Sequence, residues 1–175
     1  MDEKIAENMY LTFGLDDGKF AFPVARVREV LERNDFVRIP RMPEYMKGVL
    51  NVRGSALPVA DLKRKLGMEF VKLTTESAVI VSEIEKEGES IGIGCLVDSV
   101  DEVIDLQPDS IDPAPSMGTG IDADFIEGIG KLSGEFVVIL NIDRVFASDD
   151  LLQLGSVAKA AEMMSKEDEK EEAEA

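Results

Sequence analysis

Apolar positions recur along this chain in short runs with a period near two, broken by glycine, proline and charged residues. Met9-Tyr10-Leu11-Thr12-Phe13-Gly14-Leu15 reads as a strand and Phe20-Ala21-Phe22-Pro23-Val24 as its return. Asp16-Asp17-Gly18 lies between them, and an Asp-Gly pair flanked by apolar runs is a strong hairpin signal. Residues 27–31 continue the β-prone pattern, although their i, i+3, i+4 spacing also suits a helical turn. Residues 37–39 form a short strand stopped by Pro40 and Pro43. Residues 43–48 read as one helical turn ended by Gly48. Two strands, 49–52 and 56–59, then flank Arg53-Gly54-Ser55. Residues 61–66 are amphipathic and basic, a short helix with Gly67 as its stop.

Residues 68–77 form the connector to a second β region. There, 78–84 and 90–97 make a hairpin about the charged turn 85–89. Prolines order a loop over 109–119, and 136–142, the most apolar run, is a buried strand. Residues 149–164 are expected to be helical. From Ser165 to Ala175 Glu and Lys dominate, the composition of a disordered acidic tail.

The two halves repeat each other. The segment Phe20–Leu31 aligns with Ile93–Ile104, so that Val27, Glu29 and Val30 fall on Val100, Glu102 and Val103. Tyr45-Met46-Lys47-Gly48-Val49 falls on Phe125-Ile126-Glu127-Gly128-Ile129, Gly54 on Gly134, and residues 57–62 on 137–142. Glycines at repeated positions mark a shared backbone need, and Gly54, Gly128 and Gly134 are assigned to structural turns. Two copies of one unit predict a mainly β protein of two similar five-stranded antiparallel barrels, because closure removes the edges of such short strands. The expected lobes are about 16–72 and 78–146, with 1–8 as an N-terminal extension.

Composition narrows the chemistry. The chain has 175 residues, no histidine, no tryptophan, one cysteine and 6% aromatics. Without histidine there is no Ser-His-Asp or Cys-His nucleophile and no imidazole metal ligand. Cys95 sits in the apolar run 91–97 and reads as a small buried hydrophobe. A net charge of −17 opposes binding to a phosphate backbone, so no nucleic-acid partner is expected. The charge is also uneven. Residues 1–72 carry 13 Lys/Arg against 11 Asp/Glu, whereas 73–155 carry 3 against 18. One lobe should attract acidic surfaces and the other basic ones. No apolar run reaches membrane-span length and residues 1–5 lack a signal-peptide pattern, so a cytoplasmic location without membrane insertion is expected.

Several motifs fail on inspection. Gly128-Ile-Gly130-Lys131-Leu-Ser133-Gly134 is not a phosphate loop, since Lys131 is not followed directly by Ser or Thr. Asp122-x-Asp124-x-x-Glu127 does not meet the EF-hand pattern, and Asp122 is better placed to cap the following turn. No catalytic residue, metal or cofactor is assigned. Arg53, just before a turn glycine, can tie down turn carbonyls, make a charged interface contact, or both.

In order and spacing, Val27-x-Glu29-Val30, Pro43-x-Tyr45-Met46-x-Gly48-Val49-x-Asn51-Val52-Arg53-Gly54 and Leu57-Pro58-Val59-x-Asp61-Leu62 resemble the CheW-like domain. So do Gly94-x-Leu96-Val97-Asp98-x-Val100-x-Glu102-Val103 and Phe125-Ile126-x-Gly128-Ile129-Gly130-Lys131. The resemblance covers residues 9–148. It implies two SH3-like lobes with a hydrophobic groove between them, and a first strand, 9–15, able to pair with the second lobe. It further implies a non-enzymatic adaptor that joins methyl-accepting chemotaxis receptors to the regulatory domain of the histidine kinase CheA. Val27, Glu29, Gly48, Arg53, Val79, Val100 and Val103 are the positions it ties to receptor or kinase binding. Rival readings are a kinase regulatory domain or CheV-type adaptor, a scaffold in a non-chemotaxis array, and a carboxylate-dependent β-barrel enzyme.

Overall fold

The hairpin expected at Asp16-Asp17-Gly18 does form, with Asp16 and Asp17 as its turn and Gly18 opening the return strand, but the sheet that receives the hairpin belongs to the far half of the chain. The structure, a computed structural model, describes residues 7–32, 34–86, 88–114, 122–146, 150, 155–156 and 159. In chain order its strands are β1 (Met9–Leu15), β2 (Gly18–Pro23), β3 (Val27–Leu31), β4 (Met46–Val52), β5 (Ser55–Asp61), β6 (Ala78–Lys86), β7 (Glu89–Val97), β8 (Ser99–Asp105), β9 (Ile111–Asp112), β10 (Ile126–Leu132) and β11 (Glu135–Leu140). They form two sheets, ordered β3-β6-β7-β5-β4 and β8-β1-β2-β11-β10-β9. This is the expected mainly β architecture of two SH3-like lobes, with the two-residue β9 adding a sixth strand to the second.

The lobes are not consecutive in sequence. The hairpin β1–β2 sits between β8 and β11, with β2 running parallel to β11. Reciprocally, β6–β7 sits between β3 and β5, with β7 parallel to β5. Each half therefore lends its hairpin to the other half's sheet. The division at 16–72 and 78–146 does not follow the sheets, and the expected crossing of strand 9–15 extends to β2 as well. The physical reason lies in burial. Both hairpins are apolar on both faces, so each is most stable in the middle of a sheet, covered on both sides.

Three cores result. The largest lies between the lobes and takes Leu11, Phe13, Leu15, Phe20 and Phe22 from the first hairpin and Ile80, Ile84, Ile93, Cys95 and Val97 from the second. A second core, inside the first lobe, contains Leu50, Leu57, Val59, Val71, Val79, Val81 and Leu96. A third, inside the second lobe, contains Ala21, Ile104, Leu106, Val137 and Ile139. Residues 136–142 are not uniformly buried, because the start of β11 turns alternate residues to solvent and to the core: Phe136 is 65% exposed while Val137 is buried.

The repeat is visible in local detail. The β4–β5 turn places Arg53 at φ 51° and Gly54 at φ 83°, and the β10–β11 turn places Ser133 at 48° and Gly134 at 83°. Positive φ at both central residues is the type I′ geometry that matches strand twist. After β5, Asp61 caps the helix α1 (Leu62–Lys65) by accepting from the Arg64 N–H at 3.1 Å. After β11, Asn141 caps α2 (Ile142–Val145), accepting from the N–H groups of Asp143 and Arg144. Asp122 caps the 3-10 turn Ala123–Phe125, accepting from the Asp124 N–H. The equivalent segment 43–48 is not the helical turn expected. A single bond from the Met46 N–H to the Pro43 carbonyl closes a turn, and Met46, buried, already belongs to β4. Residue 150, described apart from its neighbours, is helical, as are 155, 156 and 159, within the helix expected over 149–164. The tail 165–175 and residues 1–6 lie outside the described residues. Among the described residues no helix is long and apolar enough to cross a membrane.

Cys95 lies fully buried in the core between the lobes, and burial pushes its thiol up to about 12. The folded protein thus holds this proton more tightly than the unfolded chain, whose usual value is near 9. The resulting contribution to stability is intact below pH 9 and is lost as pH rises toward 12. We expect an alkylating reagent at pH 8 to leave Cys95 unmodified in the native protein and to modify it rapidly in denaturant, read by mass spectrometry. Rapid labelling under native conditions would contradict the burial.

Candidate partner-binding site

Two edge strands carry most of the residues singled out from the sequence. On β3, Val27 is half-buried against the core between the lobes and stands opposite Ser82 of β6. On β8, Val100 occupies the equivalent place, half-buried against the same core and opposite Phe13 of β1. The two strand pairs share a further irregularity, a β-bulge between Val27 and Glu29 in one and between Leu11 and Phe13 in the other. At the second bulge the Thr12 hydroxyl replaces the missing ladder bonds, donating to the Glu102 carbonyl at 2.9 Å and accepting from the Glu102 N–H at 3.1 Å. Beyond the bulges, the equivalent residues Val30 and Val103 are 39% and 51% exposed. A valine left open on each of two edge strands is apolar surface available to a partner.

Glu29 and Arg53 come together. β3 and β4 are the two ends of the first-lobe sheet, and Arg53 lies in the turn that follows β4. Its guanidinium forks onto the Glu29 carboxylate, Nη1 to Oε2 at 3.3 Å and Nη2 to Oε1. The pair thus spans the seam between the sheet's ends, which the backbone bridge between Val37 and Val49 also helps to close. Hydrogen bonding to Arg53, together with its charge, holds the Glu29 carboxyl below its ordinary range. The Arg53 side chain is three-quarters exposed, so the fork presents a fixed, solvated charge pattern at the rim of the lobe.

The other positions are structural. Gly48 has φ +153°, and a Cβ there would stand 2.8 Å from the Val37 carbonyl oxygen, so it permits the close approach of the segment that covers β4. Val79 is fully buried in the first-lobe core and reaches no surface. As a candidate contact it is corrected to a core residue, because its strand is central and its side chain points inward. Gly128 permits β9 to lie close, since a Cβ would meet Ile111 Cγ2 at 2.6 Å. Gly54 and Gly134 serve the type I′ turns. Exposed Phe70, Leu73 and Phe136 escaped the sequence reading as candidate contacts, the first two passed over within the connector and Phe136 counted with a buried strand. Among the described residues no group of three or more His, Cys, Asp or Glu is placed to hold a metal.

Two β lobes that share one core and expose valines on matched edge strands define a two-lobed scaffold for protein contacts. A model of the CheW-like domain matches residues 9–150, and the chain belongs to that family of chemotaxis scaffold and adaptor proteins. It is 27% identical over 151 residues to the chemotaxis protein CheW of Klebsiella aerogenes, an alignment covering 86% of this chain and 89% of the relative. It is 28% identical over 140 residues to the chemotaxis protein CheW of Rhizobium meliloti, covering 80% and 88%. Its structure superposes on the scaffolding protein TtCheW of Thermoanaerobacter tengcongensis with a TM-score of 0.73 at 31% identity, covering 82% of this chain and 90% of that one.

Proposed function

We propose that this protein is a non-enzymatic cytoplasmic adaptor that couples methyl-accepting chemotaxis receptors to the histidine kinase CheA. The observation that carries the reading is the family match over residues 9–150 combined with the pairing of Val27 and Val100 on one shared core. The apolar face bounded by β3 and β8 takes an amphipathic partner segment, and the Glu29–Arg53 fork sets its register. The mildly basic first half favours an acidic partner surface, and such attraction acts mainly on specificity and association rate.

Capture by the regulatory domain of CheA and by a receptor cytoplasmic fragment tests this, comparing wild type with Arg53→Ala and Val27→Asp. Wild type is expected to be retained by both baits. Val27→Asp buries a charge at the contact and should weaken one partner by about 2–4 kcal/mol, with the circular dichroism spectrum unchanged. Arg53→Ala should weaken binding less and reduce its dependence on salt. Folded wild type that binds neither bait would overturn the reading.

A further inference from the structure

Each half of the chain leaves one lobe for the other immediately after its hairpin. The first crossover is the 3-10 turn Val24–Arg26 between β2 and β3, and the second is Asp98, between β7 and β8. Links this short carry the chain across but do not by themselves fix an angle between two lobes. We propose that Arg26 and Lys63 are positioning residues, each the centre of an ion-paired clamp at one crossover, and that the two clamps set the orientation of the lobes.

At the first crossover the Arg26 guanidinium donates Nη1 to Asp143 Oδ2 at 2.6 Å and Nη2 to Asp143 Oδ1 at 2.7 Å. Nη2 also donates to the Glu83 carbonyl at 2.8 Å. Asp143 lies on α2 of the second lobe and Glu83 on β6 of the first, so one planar group holds both lobes. Bidentate charge-assisted bonds of this kind are among the strongest and most directional available. At the second crossover the Lys63 ammonium, on α1 of the first lobe, pairs with Asp98 at 3.4 Å and with Asp16 in the β1–β2 turn of the second lobe. Asp98 also accepts from the Asp16 N–H at 2.7 Å. The Lys63 side chain is only 7% exposed.

The clamps use equivalent helix positions at the two crossovers and are opposite in sign, the crossover residues themselves differing by one place in the repeat. Lys63 and Asp143 are each the second residue of a helix that follows an Asx cap. In one clamp the cation sits on the crossover and the acid on the helix; in the other the acid sits on the crossover and the cation on the helix. With inverted polarity, either crossover brought against the wrong helix would face a like charge, which specifies the arrangement by repulsion as well as attraction. Val27 directly follows Arg26, and Val100 lies two residues after Asp98, so the clamps aim the two valines of the partner-binding face. This last step rests on the proposed function; the orientation of the lobes does not.

The test places spin labels at Ser55→Cys and Glu135→Cys, equivalent exposed positions on the two lobes, in the full chain. Buried Cys95 stays unlabelled. Wild type is expected to give one narrow distance distribution. Arg26→Met should broaden or shift it, and Asp143→Asn should do so more weakly, serving in its place if Arg26→Met does not fold. The charge-inverted pair Arg26→Asp with Asp143→Arg copies the polarity of the second crossover and should narrow the distribution relative to Arg26→Asp alone, though not fully, since a carboxylate cannot donate to the Glu83 carbonyl. Unchanged distances in a folded Arg26→Met or Asp143→Asn protein would overturn the proposal, as would an inverted pair no narrower than Arg26→Asp alone. In parallel, capture by the CheA regulatory domain should fall roughly fivefold or more in Arg26→Met. Altered distances in a protein whose wild type captures no partner would uphold the clamps and sink the adaptor reading.

Discussion

Cut within the connector after Thr75, the chain is expected to remain a folded pair of fragments, and each fragment separated from the other is expected to unfold. The sheets dictate this. Without the second half, β3 loses β6, its only sheet neighbour, and β5 loses β7. Without the first half, β8 loses β1 and β11 loses β2. The core between the lobes loses one of its two hairpins in either case. The loss exceeds the whole stability of an ordinary domain, about 5–15 kcal/mol. Mixing the fragments should recover the β spectrum in a concentration-dependent manner, because folding has become association. Circular dichroism and size-exclusion chromatography on the single and mixed fragments decide the matter. A cooperative melting transition from either fragment alone would show that the exchanged hairpins are dispensable.

Phe13→Ala should be among the most damaging single substitutions. Phe13 is fully buried, 4.9 Å from the Phe22 ring and 6.2 Å from the Phe20 ring between centroids. Its register-equivalent on β6 is Ser82, also fully buried, so one large and one small residue occupy related places in the same core. Removing the ring leaves small residues at both places and a cavity that two stiff hairpins collapse around poorly. A cost of about 3–5 kcal/mol is expected. Because both lobes share this core, they should lose stability together: the denaturation midpoint drops while the transition stays single and its slope is unchanged. If one lobe instead melted separately, the core between the lobes would not be the cooperative unit.

Elements set by local chemistry were legible in the sequence. The hairpins, the short helix after β5, the Asp122 cap and the shared glycine turns rest on residues within a few positions of one another. The repeat extended this to equivalent strands in both halves. Beyond the crossing of strand 9–15, which only the resemblance implied, the exchange of hairpins was not legible, since pairing Phe20 with Val138 or Ala60 with Cys95 depends on contacts far apart in sequence. A linear repeat naturally suggests linear lobes, and alternation cannot say which of two cores a strand faces. Residues 43–48 misled because Pro and Gly punctuate a helical turn and a bulged strand alike. At the site, Glu29 and Arg53 were legible as motif residues but not as partners across a seam. Val79 could not be told from a contact residue without its burial. Arg26 and Lys63 carried no signal, being two of 13 cations in the first 72 residues.

The exchanged first hairpin also shapes how the protein is made. Leu11, Phe13, Leu15, Phe20 and Phe22 are synthesised early, yet β11, which flanks β2, ends at Leu140. At about 5–20 residues per second, ~6–23 s separate the first hairpin from the last strand of its sheet. For that interval three phenylalanines and two leucines lack their complete sheet, β8 being the neighbour made earlier. The nascent chain is therefore a stronger client for chaperones than its size suggests, and slow translation of the second half should lower soluble yield more than slow translation of the first.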